Sequence, residues 1–130
     1  MPSRYVIDAE RKLVISAGWG RVTFAEMKAH QDQLVSDPDF NPDFRQLVDG
    51  TAVTELDMST DEAKTIASRI FFSPTSRCAF LASGLSILAM ARLMEMYSRM
   101  ATGREQVSVF YDRKSAMEWL GLEDDREPMR

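Results

Sequence analysis

The chain begins with two short runs that are rich in β-branched and aromatic residues. RYVID (4–8) and KLVISAG (12–18) flank the polar stretch AERK, and the change from apolar to polar and back is typical of two strands joined by a turn. We therefore predict an antiparallel hairpin at the start of the chain.

The hydrophobic period then changes to that of a helix. In TFAEMKAHQDQLVSD (23–37), Thr23 stands where an N-cap is expected, and Glu26 follows it at the spacing of a capping box. Apolar residues recur on one side of the segment, so the pattern predicts a first helix that ends before Pro38.

The next elements repeat this order of strand and helix. RQLVDG (45–50) predicts a third strand. Ser59 and Glu62 form a second capping-box pair, and the apolar stripe behind them predicts a second helix that is closed by Pro74. Between strand and helix, residues 49–60 are expected to form a loop.

The remaining chain completes an alternating pattern. RCAFLAS (77–83) predicts a buried strand, residues 84–102 predict a long helix that stops at Gly103, and QVSVFY (106–111) predicts another strand. Asp112 is placed to cap a last helix in DRKSAMEWLGL. Alternation from 45 to 120 favours parallel central strands, whereas the leading hairpin makes the sheet mixed. The sequence predicts one α/β domain over 1–122, with a mixed sheet of four to five strands, four helices and a mobile charged tail at 123–130.

Composition limits the classes of function. The chain has 130 residues, of which 45% are hydrophobic and 28% are charged, which is the balance of a folded globular domain. Its net charge is −4 and its basic residues are scattered, so nucleic acid is not an expected partner. No apolar run is long enough for a membrane span, and the first residues lack the apolar stretch of a secretory signal. We predict a cytoplasmic protein.

Few residues suggest chemistry. Cys78 is the only cysteine, which excludes a disulfide or a thiolate metal site within one chain, and its apolar surroundings predict an inert thiol. His30 is the only histidine, and its place at the edge of an apolar helix face predicts a half-buried, hydrogen-bonded side chain. No Gly-x-Ser-x-Gly elbow is present. The sequence therefore predicts no enzyme, no metal and no cofactor.

GWGRVT (18–23) is interpreted as a flexible turn that exposes Trp19.

The long helix has an unusually wide apolar arc. Its methionines join leucine, isoleucine and tyrosine side chains, leaving a narrow polar strip. Three interpretations stay open: core packing alone, a homodimer seam, or a groove for a small hydrophobic ligand beside residues 85–102. The candidate residues for the ligand or dimer surface are Trp19, Met90, Met94 and Tyr97.

The order of elements resembles the STAS domain, the fold of bacterial anti-sigma-factor antagonists, and more closely the SpoIIAA-like proteins. The similarity covers roughly residues 4 to 120 and is carried by the hairpin, AGWGRVTFAEM, LVDG and VFYDRKSAMEWL. In the antagonists, the loop before the second helix holds an Asp-Ser-Ser-Gly motif whose second serine is phosphorylated. On DMST, this resemblance puts Asp57 on the aspartate, Ser59 on the phosphorylated serine and Thr60 on the glycine.

Two interpretations of Ser59 follow. Ser59 is either an N-cap that satisfies backbone amides of its own chain or a phosphorylation site. Asp57 and the acids after Ser59 would repel a phosphate, which favours the cap. The resemblance implies a non-enzymatic binding or regulatory module that contacts a protein partner or a second copy of itself. Its surface would include loop residues Asp49, Asp57 and Thr60. The alternatives are an antagonist phosphorylated at Ser59 and a carrier of a small hydrophobic molecule, held between the methionine-rich helix and the sheet with Trp19 near the rim.

Overall fold

A computed structural model describes residues 3–69, 72–103 and 105–122. Within these residues the chain forms five strands and four helices. In chain order they are β1 (Ser3–Asp8), β2 (Leu13–Thr23), α1 (Phe24–Ser36), β3 (Arg45–Asp57), α2 (Thr60–Ser68), β4 (Cys78–Leu81), α3 (Leu85–Thr102), β5 (Val107–Phe110) and α4 (Arg113–Trp119). The predicted tail at 123–130 lies outside the described residues.

The strands form one mixed sheet in the order β1-β2-β3-β4-β5. The β1–β2 pair is antiparallel, and every other neighbouring pair is parallel. This confirms the predicted α/β fold with a leading hairpin. The parallel part begins earlier than predicted, because β2 pairs with β1 on one side and with β3 on the other, with α1 as the crossover between β2 and β3.

The predicted turn at 18–23 is wrong, because these residues continue β2. The parallel register between β2 and β3 shifts between Ala17 and Trp19 and again between Gly20 and Arg21. Gly20 has a φ of +63°, a conformation that glycine adopts without the penalty other residues meet. The glycines therefore allow irregularities inside a long strand, as β-bulges do, rather than ending it.

The predicted loop at 49–60 is also wrong for most of its length. Strand β3 runs on to Asp57, and residues 51–57 pair with the extension of β2. Within TAVTELD, Val53 is buried and Leu56 is half-buried, while the polar residues between them are exposed. Val53 and Leu56 are three residues apart, so regular alternation would place them on opposite faces. The register shift between the pairs Gly20–Val53 and Arg21–Glu55 leaves one extra residue in β3, which brings both side chains to the covered face. Asp49 and Asp57 thus belong to β3, and Thr60 is the first residue of α2.

The predicted helix caps are confirmed. Thr23 and Glu26 form a complete capping box at α1, and Ser59 and Glu62 form another at α2. At α4, the side chain of Asp112 accepts a hydrogen bond from the backbone amide of Ser115 at 2.8 Å. Helix α2 ends at Ser68, well before Pro74.

The alternation of side chains along the strands creates two different faces. The α4 face is covered by α4, and its core is wholly apolar: Leu13, Ile15, Leu47, Ala79, Leu81, Ala116, Met117 and Leu120. The opposite face, called here the three-helix face, is covered by α1, α2 and α3. Across the described residues, no helix combines the length and the apolar character needed to cross a bilayer.

Candidate functional site

A cavity of about 190 Å³ lies on the three-helix face, between the sheet and the helices. Strands β2 to β5 form its floor, and residues of α1, α2 and α3 form the opposite wall. None of the α4-face core residues borders it. An apolar cavity of about 150 Å³ is known to accept benzene, so this one has room for a somewhat larger molecule.

The cavity exists because several of the side chains that face it, from the sheet and from the helices, are small. Helix α2 presents Ala67 to the cavity, and helix α3 presents Ala91 and Ser98. On the sheet side, Val48 near the start of β3 and Cys78 at the start of β4 border the cavity. Since short side chains face each other here, the layers cannot interdigitate as they do in a filled core.

Polar side chains from neighbouring elements meet at one side of the cavity. The hydroxyl oxygen of Ser16 lies 3.0 Å from Nε2 of His30 and accepts a hydrogen bond from Nε2 of Gln46 at 3.1 Å. The Sγ atom of Cys78 lies 3.5 Å from Oε1 of Gln46 and donates to it. We call Ser16, His30, Gln46 and Cys78 the polar row; all four border the cavity.

The polar row carries no charge near neutral pH. Burial lowers the pKa of His30 below its usual 6.5, because the charged imidazolium would lose its hydration. Burial also raises the pKa of the Cys78 thiol to about 12. The predicted inert thiol and the predicted half-buried, hydrogen-bonded histidine are both in agreement with this geometry. The row can exchange hydrogen bonds with a ligand but offers it no counter-charge.

Two charged side chains border the cavity among the described residues, and both have polar partners. Arg69 donates to the Gln31 side chain at 2.9 Å and forms an ion pair with Asp32. Asp49 accepts hydrogen bonds from the backbone and the hydroxyl of Thr51 at 3.0 and 2.6 Å. Neither is therefore an unpartnered charge that waits for a ligand of opposite sign.

The contact between Ser16 and His30 has the distance of a nucleophile and its base, but its surroundings differ from those of such a pair. The Ser16 oxygen also accepts a hydrogen bond from Gln46, and Ser16 is only 3% exposed. A catalytic serine would in addition need donors aimed at a developing oxyanion. Within the described ranges, no three histidine, cysteine or acidic side chains are grouped closely enough to hold a metal ion.

The residues predicted from the phosphorylation motif lie away from the cavity. The Ser59 hydroxyl accepts from the amide of Glu62 at 3.1 Å, and the Glu62 carboxylate accepts from the amide of Ser59 at 2.9 Å. Asp57 forms an ion pair with Arg21, which also lies 3.9 Å from Glu55. The cap is thus observed at Ser59, whereas its phosphorylation stays a prediction.

The structure places the four residues predicted for a ligand or dimer surface in different environments. Met94 is only 8% exposed and borders the cavity, and Met90 and Tyr97 are half-buried outside it. Trp19 is 42% exposed on β2 and does not reach the cavity. The most exposed apolar side chains of α3 are instead Leu85, Met96 and Met100.

Comparison with known proteins identifies the fold. No protein-family model and no curated protein matches this sequence. A solved structure from Shewanella loihica PV-4, described as an uncharacterized protein of the DUF3478 family with a SpoIIAA-like fold, matches with a TM-score of 0.60 and 16% identity. The match covers 91% of this chain and 93% of that one.

The chain has a SpoIIAA-like fold. This confirms the resemblance predicted from the order of elements, and it extends over nearly the whole domain. At this level of identity the likeness concerns the fold alone. A function therefore has to be inferred from this chain's own residues.

The polar row is the part of the site that the sequence analysis missed. Ser16 and Gln46 each lie inside a short apolar run, and a single polar residue in such a run does not by itself predict a site. Gln46 and Cys78 become neighbours only through the register of β3 and β4. The available signal was one polar residue inside each of three consecutive buried strands.

Proposed function

We propose that this SpoIIAA-like protein is a non-enzymatic binding module that holds a small, largely apolar molecule between the sheet and its three covering helices. The single observation that carries the proposal is the cavity of about 190 Å³, lined mainly by apolar side chains with a few convergent polar groups. Concave, mostly apolar pockets with a small number of placed polar groups are the usual sites for small ligands.

The residues that α3 contributes to the cavity wall favour ligand binding over the protein-contact and phosphorylation hypotheses. Ala91 and Met94 face the cavity from the helix that the sequence singled out for its methionines. A methionine side chain has no branch and adapts to the shape of what it contacts, so it suits a wall that a ligand must fit. The carrier hypothesis, in which the ligand is held between this helix and the sheet, uses the inner surface of α3.

The test combines native mass spectrometry with a variant that fills the cavity. Protein purified gently from its own host should retain a small apolar molecule that is released on denaturation. Val48→Phe should abolish retention, because the larger ring enters the cavity from β3. Val6→Phe is the matched control, since Val6 is an exposed strand residue that does not border the cavity.

The decisive outcome is the difference between the two variants. Retention in Val6→Phe and loss in Val48→Phe, with both proteins folded by circular dichroism, supports the proposal. If Val48→Phe retains the molecule as well as the wild type does, the cavity is not the binding site and the proposal fails.

A regulatory module that acts through protein contacts is the second candidate. Leu85 at 86% exposure and Met100 at 69% are apolar side chains on the outer side of α3, which favours contact with a partner or a second copy. Homodimerisation and phosphorylation of Ser59 stay predictions. The burial of Met94 means that a seam on this helix would have to use Met96 and Met100 instead.

A further inference from the structure

The side-chain amide of Gln46 has hydrogen-bonding capacity that the protein does not use. Its nitrogen carries two protons, and one of them is donated to Ser16. Among the described residues, none accepts the other proton. Since Gln46 is 8% exposed and borders the cavity, that proton is available to a molecule inside the cavity.

The neighbours of Gln46 fix which end of its amide serves this purpose. The Cys78 thiol is protonated and donates a weak hydrogen bond to Oε1. The amide nitrogen, Nε2 of Gln46, then donates to the Ser16 hydroxyl, and this hydroxyl can donate its own hydrogen bond to Nε2 of neutral His30. Each side chain of the polar row has a hydrogen-bond partner within the row, and Nε2 of Gln46 has one further proton to donate.

The part of the cavity wall formed by β3 and β4 changes from polar to apolar along these strands. Gln46 and Cys78 are paired at the start of their strands, and Val48 and Phe80 are paired next along the same strands. Farther along β3, Val53 and Leu56 border the cavity as well. A ligand that fits this gradient has a polar group at one end and a hydrocarbon part at the other.

A charged group at the polar end would not be stabilised. The cavity-lining charges Arg69 and Asp49 already have polar partners, and the polar row is neutral. An ion that enters such a site loses its hydration without gaining an opposite charge. By contrast, an uncharged oxygen loses little and gains the Gln46 hydrogen bond.

Building on the proposed function, we infer that the cavity selects uncharged amphiphiles, namely small alcohols, ketones or amides whose oxygen accepts a hydrogen bond from Nε2 of Gln46. Ionised fatty acids and amines of the same length are excluded. The polar row acts as a recognition element for a neutral headgroup, and the Cys78 thiol orients the amide that makes the contact.

Four straight-chain probes of equal length test this selectivity by calorimetry on the full chain at neutral pH. They are 2-octanone, 1-octanol, octanoate and octylammonium. We expect the ketone and the alcohol to bind with similar affinity and both ions to bind at least about tenfold more weakly, because the desolvation of a charge is not repaid. This comparison uses the wild type, so it does not depend on the folding of a variant.

A matched pair of variants locates the contact. Gln46→Leu should weaken 2-octanone binding about fivefold to tenfold, the loss expected for one hydrogen bond in an enclosed site. Gln33→Leu, at an exposed position of α1 that does not border the cavity, should leave it unchanged.

The outcomes separate this inference from the proposed function. Equal or tighter binding of octanoate, or an unchanged 2-octanone affinity in Gln46→Leu, overturns the inference while the cavity remains a binding site. Failure of all four probes to bind overturns the proposed function and this inference with it.

Discussion

The two faces of the sheet are built from the same strands but are packed very differently. The α4 face is sealed by a helix of seven residues, whereas the other face has three helices and still contains a cavity. The amount of secondary structure above a face therefore does not determine how well that face is filled. The sizes of the facing side chains do, because filled cores require interdigitation.

Adjacent residues in one strand show how closely the two environments lie. Leu47 is fully buried in the apolar core beneath α4, and Gln46 beside it reaches into the polar row on the opposite face. We interpret the α4 face as the source of stability and the three-helix face as the one adapted to binding. Three pairs of measurements test this interpretation.

The largest difference is expected from truncating one methionine on each face. Met117→Ala should lower the unfolding free energy by about 3 kcal/mol, as buried large-to-small changes do in filled cores. Met94→Ala should cost only about 1 kcal/mol, because this side chain already borders empty space and loses fewer contacts. Urea denaturation of the two variants measures both values.

The control for that pair is Met96→Ala. Met96 is exposed on α3, so its truncation should change stability by no more than about 0.5 kcal/mol. Equal losses at Met94 and Met117 would contradict the comparison, since they would show that the three-helix face is packed as tightly as the other.

A smaller difference is expected from enlarging one alanine on each face. Ala116→Leu forces extra atoms into the sealed core and should cost about 2 kcal/mol. Ala67→Leu projects into the cavity from α2 and should be neutral or stabilise the protein by up to about 1 kcal/mol. Thermal unfolding distinguishes these directions, and a large loss of stability in Ala67→Leu would mean that the cavity is not available space.

Much of the fold could be predicted because its signals are local. The pairs Thr23–Glu26 and Ser59–Glu62 mark helix starts within four residues of sequence, and the structure contains both capping boxes. Strand lengths were harder to predict, because glycines at 18 and 20 are typical of turns, and only pairing with residues 51–57 keeps that segment extended.

The site could not be predicted to the same degree, because it depends on contacts between distant residues. A helical pattern shows that Met94 and Met96 lie on different sides of α3, but not which side α2 and the sheet cover. Likewise, the sequence gives no register, so Gln46 could not be placed beside Cys78. His30 was partly predictable, because its position at the edge of an apolar stripe depends only on helical spacing.

The smallest expected difference is a pH dependence that separates the two faces. Because burial lowers the folded-state pKa of His30, the unfolded chain takes up a proton near pH 6.5 before the folded protein does. The stabilising contribution of neutral His30 is complete above that pH and is lost as the pH falls through 6.5 towards the folded-state pKa.

Asp112, which caps α4, behaves differently. Hydrogen bonds from the amide and hydroxyl of Ser115 lower its pKa, so its contribution is present above pH 3.8 and disappears only below it.

Urea denaturation across the window just below pH 6.5 tests this order. The wild type should lose stability there, and His30→Gln, which keeps a hydrogen-bonding group near Ser16, should show a flat profile in the same window. Asp112→Asn should keep the wild-type fall, since its carboxylate titrates at lower pH. If wild type and His30→Gln fall in parallel, protonation of His30 is not resisted by the fold. The polar row would then be accessible to water, and the neutral character that distinguishes the three-helix face would be lost.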